Sequence, residues 1–179
     1  VELGVNYAIV ITTNAGLWRY KIGDTVIFTS KDPYRIRVSG RTKHFINAFG
    51  EELIIENAEK GLFAACEATN ASIKEYTAAP IFLKDKEAGG HEWLIEFTTP
   101  PNNIETFTEV LDQTLQDINT DYAAKRKGNM ALKRPLIRVV KSNTFFKWLK
   151  DKGKLGGQNK VPRLANERTH LEQILEYNN

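Results

Sequence analysis

The sequence predicts an α+β protein: a small antiparallel β subdomain followed by a C-terminal α+β domain with a central, mostly antiparallel sheet flanked by helices. Three observations predict it. Residues 1–42 carry short β-branched and aromatic runs separated by turn residues, with no helical stripe. After Lys43, strand-like runs alternate with apolar stripes at helical spacing. The 179 residues are 41% apolar and 26% charged, the balance of a chain that buries a core rather than staying disordered.

Each element follows from local chemistry. Tyr7–Thr13 (YAIVITT) is β-branched and aromatic, which suits a pleated strand. Asn14-Ala15-Gly16 turns the chain, since Asn and Gly accept positive φ. Leu17–Ile22 and Thr25–Ser30 read as two short strands broken by Gly23-Asp24, and Arg35–Ser39 as another after Pro33. From Glu51 to Thr69, residues Leu53, Ile54, Ala58, Leu62, Ala65 and Cys66 form a helical stripe. Ser72–Leu83 and His91–Thr98 read as strands around a hairpin-like loop, Lys84–Gly90. In the second strand Trp93, Ile95 and Phe97 share a face. Ile104–Tyr122 is the clearest helix, with Ile104, Phe107, Leu111, Leu115, Ile118 and Tyr122 at i, i+3/i+4 spacing. Leu136–Val140 reads as a short strand and Thr144–Lys152 as a helix with Asn143 at its N-cap. Lys154–Pro162 is a glycine-containing loop and Glu167–Tyr177 a closing helix. The expected boundary separates residues 1–42, the trailing part of another domain, from one α+β domain over 43–179.

Composition narrows the function classes. No apolar run approaches the 18 residues of a transmembrane helix. The N-terminus lacks the basic, apolar and small-residue regions of a secretory signal. Cys66 is the single cysteine, which excludes an internal disulfide and a cysteine zinc site. His44, His91 and His170 lack metal-ligand spacing, so no metal site is expected. Cys66 falls on an apolar stripe and is expected to be packed and inert. A cytoplasmic setting fits these features. The chain opens at Val1 in strand-like character and has Met130 as its only methionine, which reads as part of something longer. The formal charge of +3 conceals an asymmetry: residues 125–168 hold 14 Lys/Arg against 2 Asp/Glu, whereas residues 1–124 hold 11 against 18. So basic a segment faces an anion, whether nucleic acid, a phosphate ligand or an acidic lobe of the same protein.

Three motifs carry chemistry. In Gly16–Asp24 (GLWRYKIGD), Gly23 permits a sharp turn and Asp24 presents an acceptor-only carboxylate from a strand end. Such a group suits the paired hydroxyls of a ribose, although Gly-Asp equally makes an ordinary turn. In Val38–Glu52 (VSGRTKHFINAFGEE), Arg41 and Lys43 stand where strand texture changes. There Arg41 suits a nucleotide and Lys43 a hinge; a solvated basic turn, with Glu51 and Glu52 complementing a helix N-terminus, is the plainer reading. In Gly153–Arg163 (GKLGGQNKVPR), glycines allow close approach of a ligand and Pro162 stiffens the exit. Lys160 is thereby presented as a compact positive charge for phosphate or carboxylate oxygens, or simply lies in a connector.

In this order and with these gaps, GLWRYKIGD, SGRTKHFINAFGEEL and GGQNKVPRL resemble the Gretchen Hagen 3 family of auxin-responsive acyl-acid amido synthetases, most of all its bacterial members. That family belongs to the adenylate-forming superfamily of acyl-CoA synthetases and firefly luciferase. The resemblance runs over essentially the whole chain and matches about the C-terminal third of a typical member. It implies that Asp24 binds the ATP ribose hydroxyls and that Arg41 also approaches the nucleotide. It further implies that Lys43 marks a hinge near 41–44 and that Lys160 bridges acyl carboxylate and α-phosphate during adenylation. Tyr20 and Arg19 shape the strand delivering Asp24, and Arg163 supports the lysine loop. ATP and Mg2+, a carboxylic acid, an amino acid acceptor and the N-terminal domain of the same parent chain are the implied cofactors and partners. Nucleic acid and membrane are not expected.

Two alternatives are a basic nucleic-acid-binding module and a non-catalytic interaction domain. Against the first, no RNA- or DNA-binding motif is recognisable, and Phe145, Phe146 and Trp148 are expected to serve a helix core.

Overall fold

A computed structural model describes residues 1–41, 45–82, 89–129, 131–155 and 160–178. The chain forms two compact units, Val1–Phe45 and Ile46–Asn179.

In the first unit, β1 (Asn6–Ile11), β2 (Tyr20–Lys31) and β3 (Tyr34–Arg41) form one antiparallel sheet in that order. β2 runs through Gly23-Asp24 as one strand, correcting the two short strands expected there. Gly23 has φ 90°, and the β1–β2 ladder accommodates it with a register shift between Ala8 and Val10. A bulge lets a paired strand pass a left-handed glycine without ending. The Phe28 ring takes Tyr7 and Tyr34 edge-on, with centroids 5.7 and 5.9 Å away. Ser39 Oγ ties β3 to β1 and β2, 2.5 Å from Asn6 Oδ1 and 3.1 Å from Thr25 Oγ1.

A two-stranded ribbon, β4 (Phe45–Ile46) with β5 (Leu53–Ile54), comes next, followed by α1 (Ile55–Thr69). Leu53 and Ile54 thus belong to a strand, and the helix starts at Ile55 rather than Glu51. Asn57 Oδ1 accepts from the Ile54 N–H (3.3 Å), closing the first turn. Asn70, with φ 51°, ends the helix in the left-handed region.

β6 (Ser72–Phe82) and β7 (Gly89–Thr99) pair antiparallel, and β8 (Leu136–Val139) adds parallel to β7. The expected single helix over 104–122 is two, α2 (Ile104–Ile118) and α3 (Thr120–Arg126). Asn119 interrupts them with extended backbone and caps α3, its Oδ1 accepting from Tyr122 N (2.9 Å). Its Nδ2 donates to the Glu51 carbonyl (3.0 Å), so a tertiary contact holds the break. α4 (Thr144–Asp151) and α5 (Thr169–Leu175) complete the fold.

Strand alternation sorts the core into two layers. Trp93 and Ile95 of β7, with Tyr76 and Ala78 of β6, pack under α1 and α2 against Leu62, Phe107, Leu111 and Leu115. Leu94 and Ala79 face the other way, against Phe145 and Trp148 of α4 and Leu171 and Ile174 of α5. Phe97 packs with the first layer as expected, whereas Phe146 stays 50% exposed rather than serving the helix core. At Gly61 a Cβ would stand 2.8 Å from Leu111 Cδ1, so that glycine sets how closely α1 and α2 approach.

Candidate functional site

The nucleotide candidates fall on one ladder. Asp24 and Arg41, far apart in sequence, are directly opposite each other where β2 pairs with β3. Backbone hydrogen bonding therefore delivers both to one end of the sheet, as two neighbouring positions rather than two loops. Tyr20 opens β2 opposite Ile11, and Arg19 precedes it with φ 46°, its N–H donated to Thr12 Oγ1 (3.1 Å). Lys43, the hinge candidate, lies outside the described residues, as do Gly156–Asn159 of the lysine loop.

Lys160 is exposed, and the residues that follow it are anchored. Val161 is buried, and the Pro162 carbonyl accepts from Thr77 Oγ1 (2.6 Å). The Ala78 N–H donates to the Arg163 carbonyl (2.8 Å), and Ala165 N–H to the Ala78 carbonyl (3.1 Å). Residues 162–165 thus run along the outer edge of β6 as a short parallel bridge. This anchor holds the chain on the C-terminal side of Lys160. Arg163 points into the same unit: its Nη1 bonds Glu59 Oε1 at 2.9 Å and its guanidinium carbon lies 4.9 Å from the Tyr76 ring centroid.

The basic stretch over 125–168 meets carboxylates of its own unit. All five of its arginines are ion-paired: Arg126 with Asp112, Arg134 with Glu105, Arg138 and Arg168 with Glu92, Arg163 with Glu59. Buried Glu92 receives Arg138 and Arg168 at 2.7 Å each. Glu96, also buried, accepts from Lys74 Nζ (2.8 Å) and from the N–H groups of Asn143 (2.8 Å) and Phe145 (3.3 Å). Burial alone would raise the Glu96 carboxyl, but these donors outweigh it and hold it below the usual carboxylate range. A carboxylate from β7 therefore satisfies the α4 terminus. Asn143 does not cap through its side chain; its Oδ1 accepts from Lys74 (3.0 Å) instead.

Glu51 is likewise buried and is no helix-terminal acid. It lies 2.7 Å from His91 Nε2 and accepts from the Phe49 N–H at 2.7 Å; these contacts lower its carboxyl against the opposing effect of burial. The strand His91-Glu92-Trp93-Leu94-Ile95-Glu96 signals these networks in sequence, because His91, Glu92 and Glu96 bracket an otherwise apolar run.

Between α1 and the start of β6 lies an open groove of about 330 Å³. Its lining combines apolar Leu62, Cys66 and Ile73 with charged Glu59, Glu67, Lys74 and Arg163. Burial pushes the Cys66 thiol up, consistent with an unreactive side chain.

No helix among the described residues is long and apolar enough to cross a membrane. The GH3 family central domain matches residues 1–41, and the GH3 family C-terminal domain matches residues 56–169. Among curated proteins, indole-3-acetic acid-amido synthetase GH3.3 of Arabidopsis thaliana is 27% identical over 97% of this chain. Jasmonoyl-L-amino acid synthetase JAR6 of Nicotiana attenuata is 29% identical over 99%. The chain spans about a third of either relative, 31% and 32% of their lengths. Among solved structures, the GH3.15 acyl acid amido synthetase superposes with a TM-score of 0.77 at 23% identity, over 99% of this chain and 33% of that one. A 2-hydroxyisobutyryl-CoA ligase in its postadenylation state shares the fold at a TM-score of 0.52 and 16% identity, over 98% of this chain and 36% of that one. The match over residues 56–169, more than half of the sequence, makes this chain a member of the GH3 family.

Proposed function

We propose that this chain is the C-terminal part of an ATP-dependent acyl-acid amido synthetase. The observation that carries the reading is the direct opposition of Asp24 and Arg41 on one ladder, in a chain of this family. In the first step a carboxylate oxygen attacks the ATP α-phosphorus, forming an acyl-adenylate and releasing pyrophosphate. An amino acid amine then attacks the acyl carbon, loses a proton and displaces AMP. Asp24 accepts from the ribose hydroxyls, with Arg41 beside the nucleotide and Tyr20 and Arg19 shaping the strand between. Lys160 offsets the repulsion between carboxylate and phosphate in the first step, and its loop is held by the Thr77–Pro162 and Ala78–Arg163 hydrogen bonds. Residues 1–42 belong to the large domain and residues 43–179 form a lid that turns about Lys43, withdrawing Lys160 once the adenylate has formed. Names of relatives that act on indole-3-acetic acid or form jasmonoyl–amino acid conjugates support an organic acid and an amino acid as substrates.

Magnesium accompanies ATP in this reading. Among the described residues no group of three or more His, Cys, Asp or Glu is placed to hold a metal. The setting is cytoplasmic, and the bacterial placement rests on the wording of the motifs.

A screen of carboxylic acids for ATP-dependent pyrophosphate release by the longer protein is expected to find active acids; silence across aryl, alkyl and hydroxy acids sinks the reading. Lys160→Ala is expected to slow adenylation about 100-fold or more while leaving transfer from a supplied acyl-adenylate far less affected. Equal loss in both half-reactions removes the role given to Lys160. Asp24→Ala is expected to raise KM for ATP, and an unchanged KM removes the ribose contact.

A further inference from the structure

The segment that follows Lys160 is seated in both core layers at once. Val161 is buried in the layer of Ala79 and Leu94, under α4 and α5. Leu164 is buried in the layer of Tyr76 and Ala78, under α1 and α2. Between the two the chain crosses the outer edge of β6 and bridges to Ala78. One side chain of β6 reaches this segment ahead of the bridge. Thr77 stands opposite Leu94 and is 1% exposed. A valine has the same branched shape and no polar atom to desolvate at such a position. The Thr77 hydroxyl instead donates to the Pro162 carbonyl at 2.6 Å. Two residues separate that carbonyl from Lys160, at most about 7 Å of extended chain.

We propose that Thr77 is a positioning residue for Lys160: its hydroxyl fixes the chain two residues beyond the lysine and so sets where the ammonium stands during adenylation. The proposal rests on the role given to Lys160 in the amide-forming reading. Placement matters because a shift of about 1 Å at a reacting group can cost about 100-fold in rate. In Thr77→Val the seats of Val161 and Leu164 and the Ala78 bridge remain, so the segment stays on the sheet and only its lead-in loosens. Amide transfer takes place after Lys160 has been withdrawn and does not need the clamp. Two half-reactions of one protein therefore separate positioning from general stability.

Pyrophosphate release and amide formation from a supplied acyl-adenylate are measured separately in the longer protein. Thr77→Val is expected to lower kcat for pyrophosphate release about tenfold, with KM for ATP and the rate of transfer each within about twofold. Thr77→Ser keeps the hydroxyl and is expected to recover adenylation to within about threefold of wild type. In a Lys160→Ala background, Thr77→Val is expected to add less than about twofold, since a residue that acts through the lysine has nothing left to place. An unchanged kcat, equal losses in the two half-reactions, no recovery by Thr77→Ser, or a full further loss on Lys160→Ala overturns the proposal. A selective Lys160→Ala effect beside an unaffected Thr77→Val removes this proposal alone; absence of the selective Lys160→Ala effect removes the reading beneath it. Amide hydrogen exchange reads the clamp without activity. The N–H groups of Ala78 and Ala165 bond along the bridge, and in Thr77→Val they are expected to exchange about tenfold faster while those of β7 stay within about twofold. Unchanged exchange at Ala165, or equal acceleration throughout β7, overturns the proposal as well.

Discussion

The sheets β1-β2-β3 and β6-β7-β8 each have three strands, yet they bury their residues in opposite ways. In the first, Val26 is the only fully buried apolar side chain among the described residues, while Val10, Tyr20, Ile22, Tyr34, Ile36 and Val38 are all exposed. In the second, every residue from His91 to Glu96 is buried, with helices on both faces. The difference is one of cover. The second sheet carries its own helices, and even its charged positions, Glu92 and Glu96, have partners supplied by the same unit. The first presents apolar surface that its own three strands cannot cover, the arrangement of a surface meant to pack against something else.

The largest expected effect breaks the chain at this division. Residues 46–179 alone are expected to unfold in one cooperative denaturant transition, whereas residues 1–45 alone are expected to show none. A segment of 45 residues with one buried apolar side chain has too little core to offset chain entropy. A cooperative transition in the short piece removes the comparison.

Within the units, the same contrast appears as a ratio. Trp93→Ala empties a fully buried position between β7 and the α1/α2 layer and is expected to cost about 3–5 kcal/mol of unit stability. Val26→Ala, the nearest equivalent in the first sheet, removes two methyl groups and is expected to cost about 1–2 kcal/mol. Urea titrations of each variant measure both numbers, and similar costs at the two positions mean that the first sheet is better covered than its exposure shows.

What the sequence makes legible divides along the same line. Strand and helix periods place nearly every element of the second unit, because a core-facing side chain must recur at 2.0 or 3.6 residues. The failures are tertiary. The Ile104–Tyr122 stripe continues in register across Asn119, and the break comes from Asn119 reaching the carbonyl of Glu51, which no local pattern encodes. Asn143 has the right residue type for a cap, but Glu96 arrives from another strand and takes its place. Gly23-Asp24 reads as a strand end because the slipped β1 register that absorbs it is invisible until the strands pair. For the candidate site, motif order proposes Asp24, Arg41 and Lys160, while the contacts around them are not legible. The Asp24–Arg41 opposition depends on ladder register, and the clamp on residues 162–165 depends on β6 having a free edge.

A smaller effect comes from the buried carboxylates that only the second sheet possesses. Glu96→Gln loses the Lys74 ion pair and weakens the acceptor for two N–H groups of α4, at an expected cost of about 1–3 kcal/mol near pH 7. The pH dependence fixes the sign. In the folded chain the Glu96 carboxyl lies below its ordinary value of 4.5, so its contribution is complete above that pH and fades as the pH falls through the folded value. Glu51 behaves in the same direction. Wild type and Glu96→Gln are therefore expected to converge in stability below pH 4.5, and a gap that stays constant down to acid removes the electrostatic account.

The smallest effect is the most diagnostic for the first unit. Ile36 and Val38 lie on β3 with their side chains exposed, so Ile36→Thr and Val38→Thr exchange apolar surface for polar while keeping the β-branched shape that a strand favours. In this chain by itself each is expected to change stability by less than about 0.5 kcal/mol, as exposed substitutions do. In a longer protein whose remaining residues pack on β3, the same changes bury a hydroxyl where a methyl stood and are expected to cost about 1–3 kcal/mol. Measured in both contexts, the difference reads directly how much of this apolar face another part of the protein covers. A cost that is equally small in both shows that β3 faces solvent in the longer protein as well.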